Sequence, residues 1–131
     1  MLLPRFEYRA ARTVGEALTL WAERPGARFM AGGTDLIAQM RTRRKVSRVV
    51  DIKQIPELNQ IRESEDGGVA IGAAVVLSAL CEHPRLRERY PALLECACQV
   101  GAYALRNRAT LAGNVCNASP AADTAVALLA L

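Results

Sequence analysis

The stretch ARFMAGGTDLIAQMRTRR, residues 27–44, admits few topologies. ARFMA reads as a short buried strand that runs into Gly32-Gly33-Thr34-Asp35, and LIAQMRTRR follows with apolar residues at helical spacing. SRVVDI, Ser47 to Ile52, supplies the next β-prone run. Strand, glycine turn, helix, strand is a βαβ unit, whose two strands should lie parallel with a right-handed crossover. Upstream, TVGEALTLWAER (Thr13 to Arg24) predicts a helix. Thr13 is its cap, Glu16 completes a capping box, Val14, Ala17, Leu18 and Trp21 share one face, and Pro25-Gly26 ends it.

After Ile52 the pattern changes. NQIRES and GVAIGAAVV are two β-prone runs joined by Glu65-Asp66-Gly67-Gly68, which predicts an antiparallel hairpin. Ser78 can cap a short helix ending near His83-Pro84. PRLRERYP and PALLECACQVGAYALRN read as helical, with Pro84 and Pro91 as first helical residues. The change from parallel to antiparallel logic sets a boundary near Ile52 to Pro56. Residues 1–55 form an N-terminal βαβ subdomain, and residues 56–131 form the first part of a larger antiparallel α+β subdomain.

Two glycine-bearing segments look suited to a ligand. A strand ending in Gly32-Gly33 and opening a helix gathers backbone N–H groups with no Cβ in the way, at the positive end of the helix dipole. Phosphate fits such a place; so does a plain tight turn with no ligand. The sequence is neither GxGxxG nor a Walker motif. The second segment closes the chain. From Thr110 to Leu131, twenty-two residues carry one charge, Asp123. Thr110, Gly113, Asn114, Asn117 and Ser119 are small or hydrogen-bonding, and Ser119-Pro120 predicts a helix start. Asp123 would then sit one turn in, either as a first-turn acid favoured by the helix dipole or as an acceptor for a polyol ligand over the helix start.

Charge is uneven: residues 1–50 hold ten Lys/Arg against four Asp/Glu. The excess peaks at RTRRKVSR, Arg41 to Arg48, five basic residues with no acid. That run is a solvated helix end or faces an anionic partner. No helix-turn-helix, zinc-finger or RNA-recognition signature accompanies it. Cys81, Cys96, Cys98 and Cys116 form no CxxC pair, and the lone His83 completes no zinc pattern, so four reduced, mostly buried thiols in a cytoplasmic protein are expected. No apolar stretch approaches the roughly 20 residues of a membrane helix, and Met1-Leu2-Leu3-Pro4-Arg5 is too short for a signal peptide.

FMAGGTDL and TLAGNVCNASPAADT resemble the two flavin-binding motifs of the FAD-binding (medium) subunit of the molybdenum hydroxylases, the xanthine dehydrogenase and carbon monoxide dehydrogenase type. LPRFEYRAARTVGEALTLWAE and RVVDIKQIPELNQI are similar to that family too, so the resemblance covers essentially the whole chain. It implies an α+β fold of the vanillyl-alcohol-oxidase-like (PCMH) type, with FAD held non-covalently between two subdomains. Phe29, Met30, Ala31, Gly32, Gly33, Thr34, Asp35 and Leu36 would form the loop that holds the pyrophosphate. Thr110, Leu111, Ala112, Gly113 and Asn114 would form the second phosphate loop, and Asp123 would contact the flavin side. Family members often have glycine where this chain has Ala112.

The resemblance further implies an electron-transfer role. A large molybdenum-cofactor subunit oxidises substrate, a small subunit with two [2Fe-2S] clusters carries the electrons, and FAD passes them to an external acceptor. No catalytic residue and no metal ligand is expected in this chain, because the cofactor supplies the redox chemistry. The alternative is an interaction or nucleic-acid-binding module using residues 41–48. AVALLAL ends inside an apolar helix with no cap, which suggests an N-terminal fragment whose cleft is incomplete.

Overall fold

The computed structural model describes residues 2–42 and 44–131; Met1, from the opening pentapeptide, and Arg43, from the basic run, lie outside the described residues. The first half is a three-stranded parallel sheet. Its strands are β1 (Glu7–Ala10), β2 (Ala27–Met30) and β3 (Arg48–Asp51), in the order β1-β3-β2. Helix α1 (Val14–Ala22) connects β1 to β2, and α2 (Thr34–Thr42) connects β2 to β3. Ala27 pairs with Arg48 and Met30 with Asp51, so the expected parallel βαβ unit is present. The strand β1 joins the other side of β3 in the same register, Glu7 opposite Arg48.

Alternation along β3 sets which helix covers which face. Val50 packs with Ala11, Ala17 of α1 and Ile55, whereas Val49 packs with Met40 of α2 and Val46. Both valines are fully buried, and each contributes about 1.5–3 kcal/mol by leaving water. As the central strand, β3 is buried at all four positions. The strand β2 lies at an edge, so ARFM is buried only at Ala27; Phe29 is exposed and stacks on Trp21, with ring centroids 5.9 Å apart. The shared face on α1 is likewise buried only at Ala17, while Val14, Leu18 and Trp21 remain 37–54 % exposed.

Polar anchors hold both ends of β3. Arg48 donates to Glu7 at 2.9 Å, to Glu23 at 3.0 Å and to the Leu20 carbonyl near the end of α1 at 2.7 Å. A cation at a helix C-terminus meets the negative end of the dipole. At the other end Asp51 accepts from the Tyr8 hydroxyl at 2.6 Å, the Lys53 ammonium at 2.7 Å and the Lys53 N–H at 2.9 Å. Burial pushes the Asp51 pKa up, but the hydrogen bonds from Lys53 and Tyr8 outweigh it and leave the carboxyl below its ordinary value.

A short 3-10 turn (Pro56–Asn59) leads into the antiparallel hairpin of β4 (Ile61–Glu63) and β5 (Val69–Ile71). Then come α3 (Leu77–Glu82), α4 (Pro84–Arg89), α5 (Pro91–Gln99), α6 (Tyr103–Arg106), α7 (Leu111–Asn117) and α8 (Asp123–Leu129). Leu77, Leu80, Leu86, Leu93, Leu94 and Ala97 form their shared core. Thr13 caps α1 as expected, its hydroxyl accepting from the Glu16 N–H at 3.1 Å, whereas the Glu16 carboxylate reaches one residue beyond a capping box, to the Arg12 N–H at 2.8 Å. Pro84 and Pro91 open their helices as expected.

Four further local expectations change. The cap of α3 is Val76 rather than Ser78, because the chain is held extended there by a bridge from Val76 to Thr110. PALLECACQVGAYALRN is two helices, broken at Val100 and Gly101. Ser119-Pro120 makes a turn, its Ser119 hydroxyl accepting from the Ala121 N–H at 3.3 Å, and α8 starts only at Asp123. The four cysteines are not all reduced: Cys81 of α3 and Cys98 of α5 form a disulfide, with Cα atoms 6.0 Å apart. The packing of α3 against α5 creates that proximity, and sequence spacing does not reveal it. Cys96 is half-buried and Cys116 exposed, so "mostly buried" is also revised.

The two halves meet at a backbone contact. A Cβ built on Gly32 would lie 2.0 Å from the Arg108 carbonyl oxygen, so only glycine permits this approach. Gly32→Ala should therefore cost about 3 kcal/mol or more in urea unfolding. Gly15→Ala in α1, where a Cβ meets nothing, should be neutral or stabilise by up to about 1 kcal/mol. Asp51→Asn should cost about 1–3 kcal/mol at neutral pH. Because the folded pKa of Asp51 is lowered, the carboxylate's contribution is complete above the ordinary aspartate pKa and is lost as pH falls through the folded value. The gap between wild type and Asp51→Asn should accordingly close in urea titrations run at progressively lower pH.

Candidate functional site

The turn after β2 and the start of α2 form one wall of a cavity of about 320 Å³. Gly33 has φ +75°, in the left-handed region, and this bend turns the chain from strand into helix. A Cβ on Gly33 would also come within 3.0 Å of the Met30 sulfur. The first intrahelical bond runs from the Ile37 N–H to the Gly33 carbonyl at 3.0 Å. Among the described residues no acceptor takes the N–H groups of Thr34, Asp35 or Leu36. These are the orphan donors of a helix start, and they line the cavity.

The opposite wall comes from α7. Thr110 is its cap, and its hydroxyl accepts from the Gly113 N–H at 3.0 Å. TLAGNVCN is therefore helical from Leu111 to Asn117, not the loop that its composition suggests. Gly113 sits inside the first turn with its N–H already satisfied by the Thr110 hydroxyl. Asn114 accepts a hydrogen bond from Thr124 of α8, which is fully buried. Asn117 accepts from the Gln39 amide of α2 at 2.7 Å, and Arg44 donates to the same Gln39 side chain.

Most residues expected from the two motifs meet here. Phe29, Met30, Ala31, Gly32, Gly33, Thr34, Asp35 and Leu36 line the cavity together with Thr110, Gly113 and Asn114. Leu111 instead packs in the helical core, and Ala112 lines a second cavity. Asp123 is exposed at the first turn of α8 and lines neither cavity. Arg28, Gln39, Arg44, Cys116 and Asn117 line the first cavity, although the two motifs do not mark them as site residues. The basic run signals Arg44 only as a charge, and nothing in the sequence points to Arg28 or Gln39. Of that run, Arg48 is buried in ion pairs with Glu7 and Glu23, which takes it out of any anion-binding face.

The second cavity, about 340 Å³, is almost wholly apolar. Val14, Leu18, Ile52, Ile55 and Leu58 form its floor, and Phe29, Ala31, Gly113 and Cys116 border both cavities. A compartment of mixed lining, with unpaired N–H groups at the start of α2 and the arginines Arg28 and Arg44, thus adjoins an almost wholly apolar one. Such a cleft suits an elongated ligand with an anionic middle and a flat, apolar ring system. A dinucleotide flavin has that chemistry, and the glycine turn supplies the close backbone approach that its diphosphate requires.

Comparison with known proteins agrees. The model for the FAD-binding domain of molybdopterin dehydrogenase matches residues 4–131. The chain is 38% identical over 125 residues to the carbon monoxide dehydrogenase medium chain of Hydrogenophaga pseudoflava, covering 94% of this chain and 43% of that one. It is 36% identical over 123 residues to the xanthine dehydrogenase FAD-binding subunit of Escherichia coli O157:H7, covering 93% and 42%. In the reconstituted CO dehydrogenase of Oligotropha carboxidovorans, a chain matches with a TM-score of 0.88 at 30% identity, covering 95% of this chain and 44% of that one. The chain thus spans less than half the length of these relatives. With its glycine turn, its paired helices and a match along nearly its whole length, it belongs to the FAD-binding domain family of the molybdopterin dehydrogenases.

Proposed function

We propose that this chain holds FAD within an electron-transfer component of a molybdenum-containing dehydrogenase or hydroxylase. The observation that carries this reading is the convergence of both motifs on one cleft, with unpaired N–H groups at the start of α2 and guanidinium groups beside them. The finer fold assignment in the proposal is the vanillyl-alcohol-oxidase-like (PCMH) type. Residues 1–55 act as its βαβ subdomain, and residues 56–131 belong to the second.

In this reading FAD, when bound, accepts electrons and passes them on. The protein's own groups bind and orient it. The N–H groups of Thr34, Asp35 and Leu36 face the diphosphate, and Gly33 keeps side-chain atoms out of its way. Thr110 orders the first turn of α7. Thr124 holds the Asn114 side chain, and its neighbour Asp123, exposed at the first turn of α8 and outside both cavities, would meet the ligand's hydroxyl-bearing part where that part extends beyond them. The apolar cavity shields a flat ring from water. The partners in this proposal are a large molybdenum-cofactor subunit and a small subunit with [2Fe-2S] clusters, in a cytoplasmic assembly that reduces an external acceptor.

Titration of the full-length protein with FAD, followed by quenching of flavin fluorescence, tests the reading. Wild type should bind. Gly33→Asn, which tolerates a left-handed backbone but sets a Cβ against the Met30 sulfur, should weaken binding about tenfold or more and lower the thermal unfolding temperature of the ligand-free protein only modestly. Equal affinity for the two would remove the glycine turn from the site. A protein that ignores FAD and instead shifts labelled DNA would favour the basic-stretch alternative. Asp123→Ala should raise the FAD dissociation constant about tenfold or more, the loss of a hydrogen bond to an ionised acceptor being about 1.5–3 kcal/mol. Glu65→Ala, in the exposed hairpin turn, should leave it unchanged. If Asp123→Ala lowers only the melting temperature, the carboxylate serves the helix start alone.

A further inference from the structure

The first cavity, mixed in lining, extends well past the glycine turn. It follows α2 from Gly33 to Gln39, about 7–8 Å at the helical rise from Thr34, and ends beside Asn117 and Arg44. A diphosphate seated at the start of α2 would not fill that distance, so the next part of the ligand must.

The chemistry of this far end is determined by one chain of hydrogen bonds. Arginine has donors only, so the group Arg44 meets on Gln39 is the carbonyl oxygen Oε1. That orients the Gln39 amide, whose Nε2 donates to Asn117 Oδ1 at 2.7 Å. The Asn117 amide is oriented in turn, leaving its Nδ2 as a donor. Each amide oxygen already accepts one bond, and the groups of this chain left with no partner within it are N–H donors on Asn117, Gln39 and Arg44. Such a cluster favours a ligand rich in acceptors, and a guanidinium also stacks on a planar base.

We propose that Gln39, Asn117 and Arg44 form the subsite for the ribose-and-base half of a dinucleotide. They would make the chain select FAD over FMN, with Gln39 as the positioning residue that ties Arg44 and α7 together. This inference rests on the FAD-binding reading above and adds to it which half of the ligand lies where. The ring-bearing flavin half then goes to the apolar cavity on the other side of the glycine turn, bordered by Phe29 and Cys116.

The test compares FAD, FMN and ADP on the full-length protein after removal of flavin, using flavin fluorescence and, for ADP, displacement of FAD. Wild type should bind FAD at least about tenfold more tightly than FMN, and ADP should compete. Arg44→Met keeps the Gln39–Asn117 bond, and Gln39→Leu removes it. Both should weaken FAD and ADP about tenfold, the scale of a charged hydrogen bond, while FMN changes less than about twofold. Equal weakening of FAD and FMN would overturn the assignment, because the residues would then serve the flavin half or the fold. So would unchanged FAD affinity in both variants, or wild type binding FMN as tightly as FAD. Failure of wild type to bind either flavin would instead strike the FAD reading itself, and this inference with it.

Discussion

The contact between Gly32 and the Arg108 carbonyl is the constraint on which the site depends. The chain segments that form the cleft are about 75 residues apart and belong to halves with different sheet logic. They share no strand pairing. The glycine turn after β2 rests directly on the backbone that leads into α7, at a distance no side chain would allow. That approach brings the start of α2 and the helix α7 to opposite walls of one cavity. Gly33, next in sequence, acts differently. Its positive φ turns the chain from β2 into α2, whose first residues line the cavity.

Side-chain bonds then hold the walls at a set spacing. Gln39 joins α2 to Asn117 on α7, and Asn114, on the same helix, accepts from Thr124 on α8. Thus α7 is held from both sides, although it is only seven residues long and too short to be stable alone. Its own cap, Thr110, is buried and lies opposite Val76, which anchors it to the start of α3. Rigidity of this kind suits a domain that orients a cofactor, since misplacement of a bound group by about 1 Å lowers reaction rates steeply.

Much of this is legible from residue patterns, for identifiable reasons. The βαβ unit is readable because both apolar periods and the intervening glycines agree along residues 27–52. The hairpin is readable because Glu65-Asp66-Gly67-Gly68 has turn chemistry, and the structure places Gly67 at φ +84° there. The proline-led helices are readable because proline's fixed φ suits a first turn. The strand β1 is harder. EYRA alternates charged and apolar groups too briefly to announce a strand, and it becomes one by pairing with β3. The composition of Thr110 to Asn117 suggests a loop. Glycine and asparagine are weak helix formers, but a threonine cap and tertiary bonds outweigh that propensity.

By itself, then, the sequence determined the local chemistry: where glycine permits a turn, which residues cap or start helices, and which two segments carry small, hydrogen-bonding side chains suited to a ligand. Those follow from backbone sterics and short-range hydrogen bonding, which act over a few residues. Only the tertiary structure decided which of those groups meet. It buried Arg48 in ion pairs and left Arg44 at the cleft, bonded Cys81 to Cys98, turned Leu111 into the core, and set an apolar compartment beside one of mixed lining. These outcomes depend on packing between elements far apart in the chain, and neither spacing nor composition records that distance.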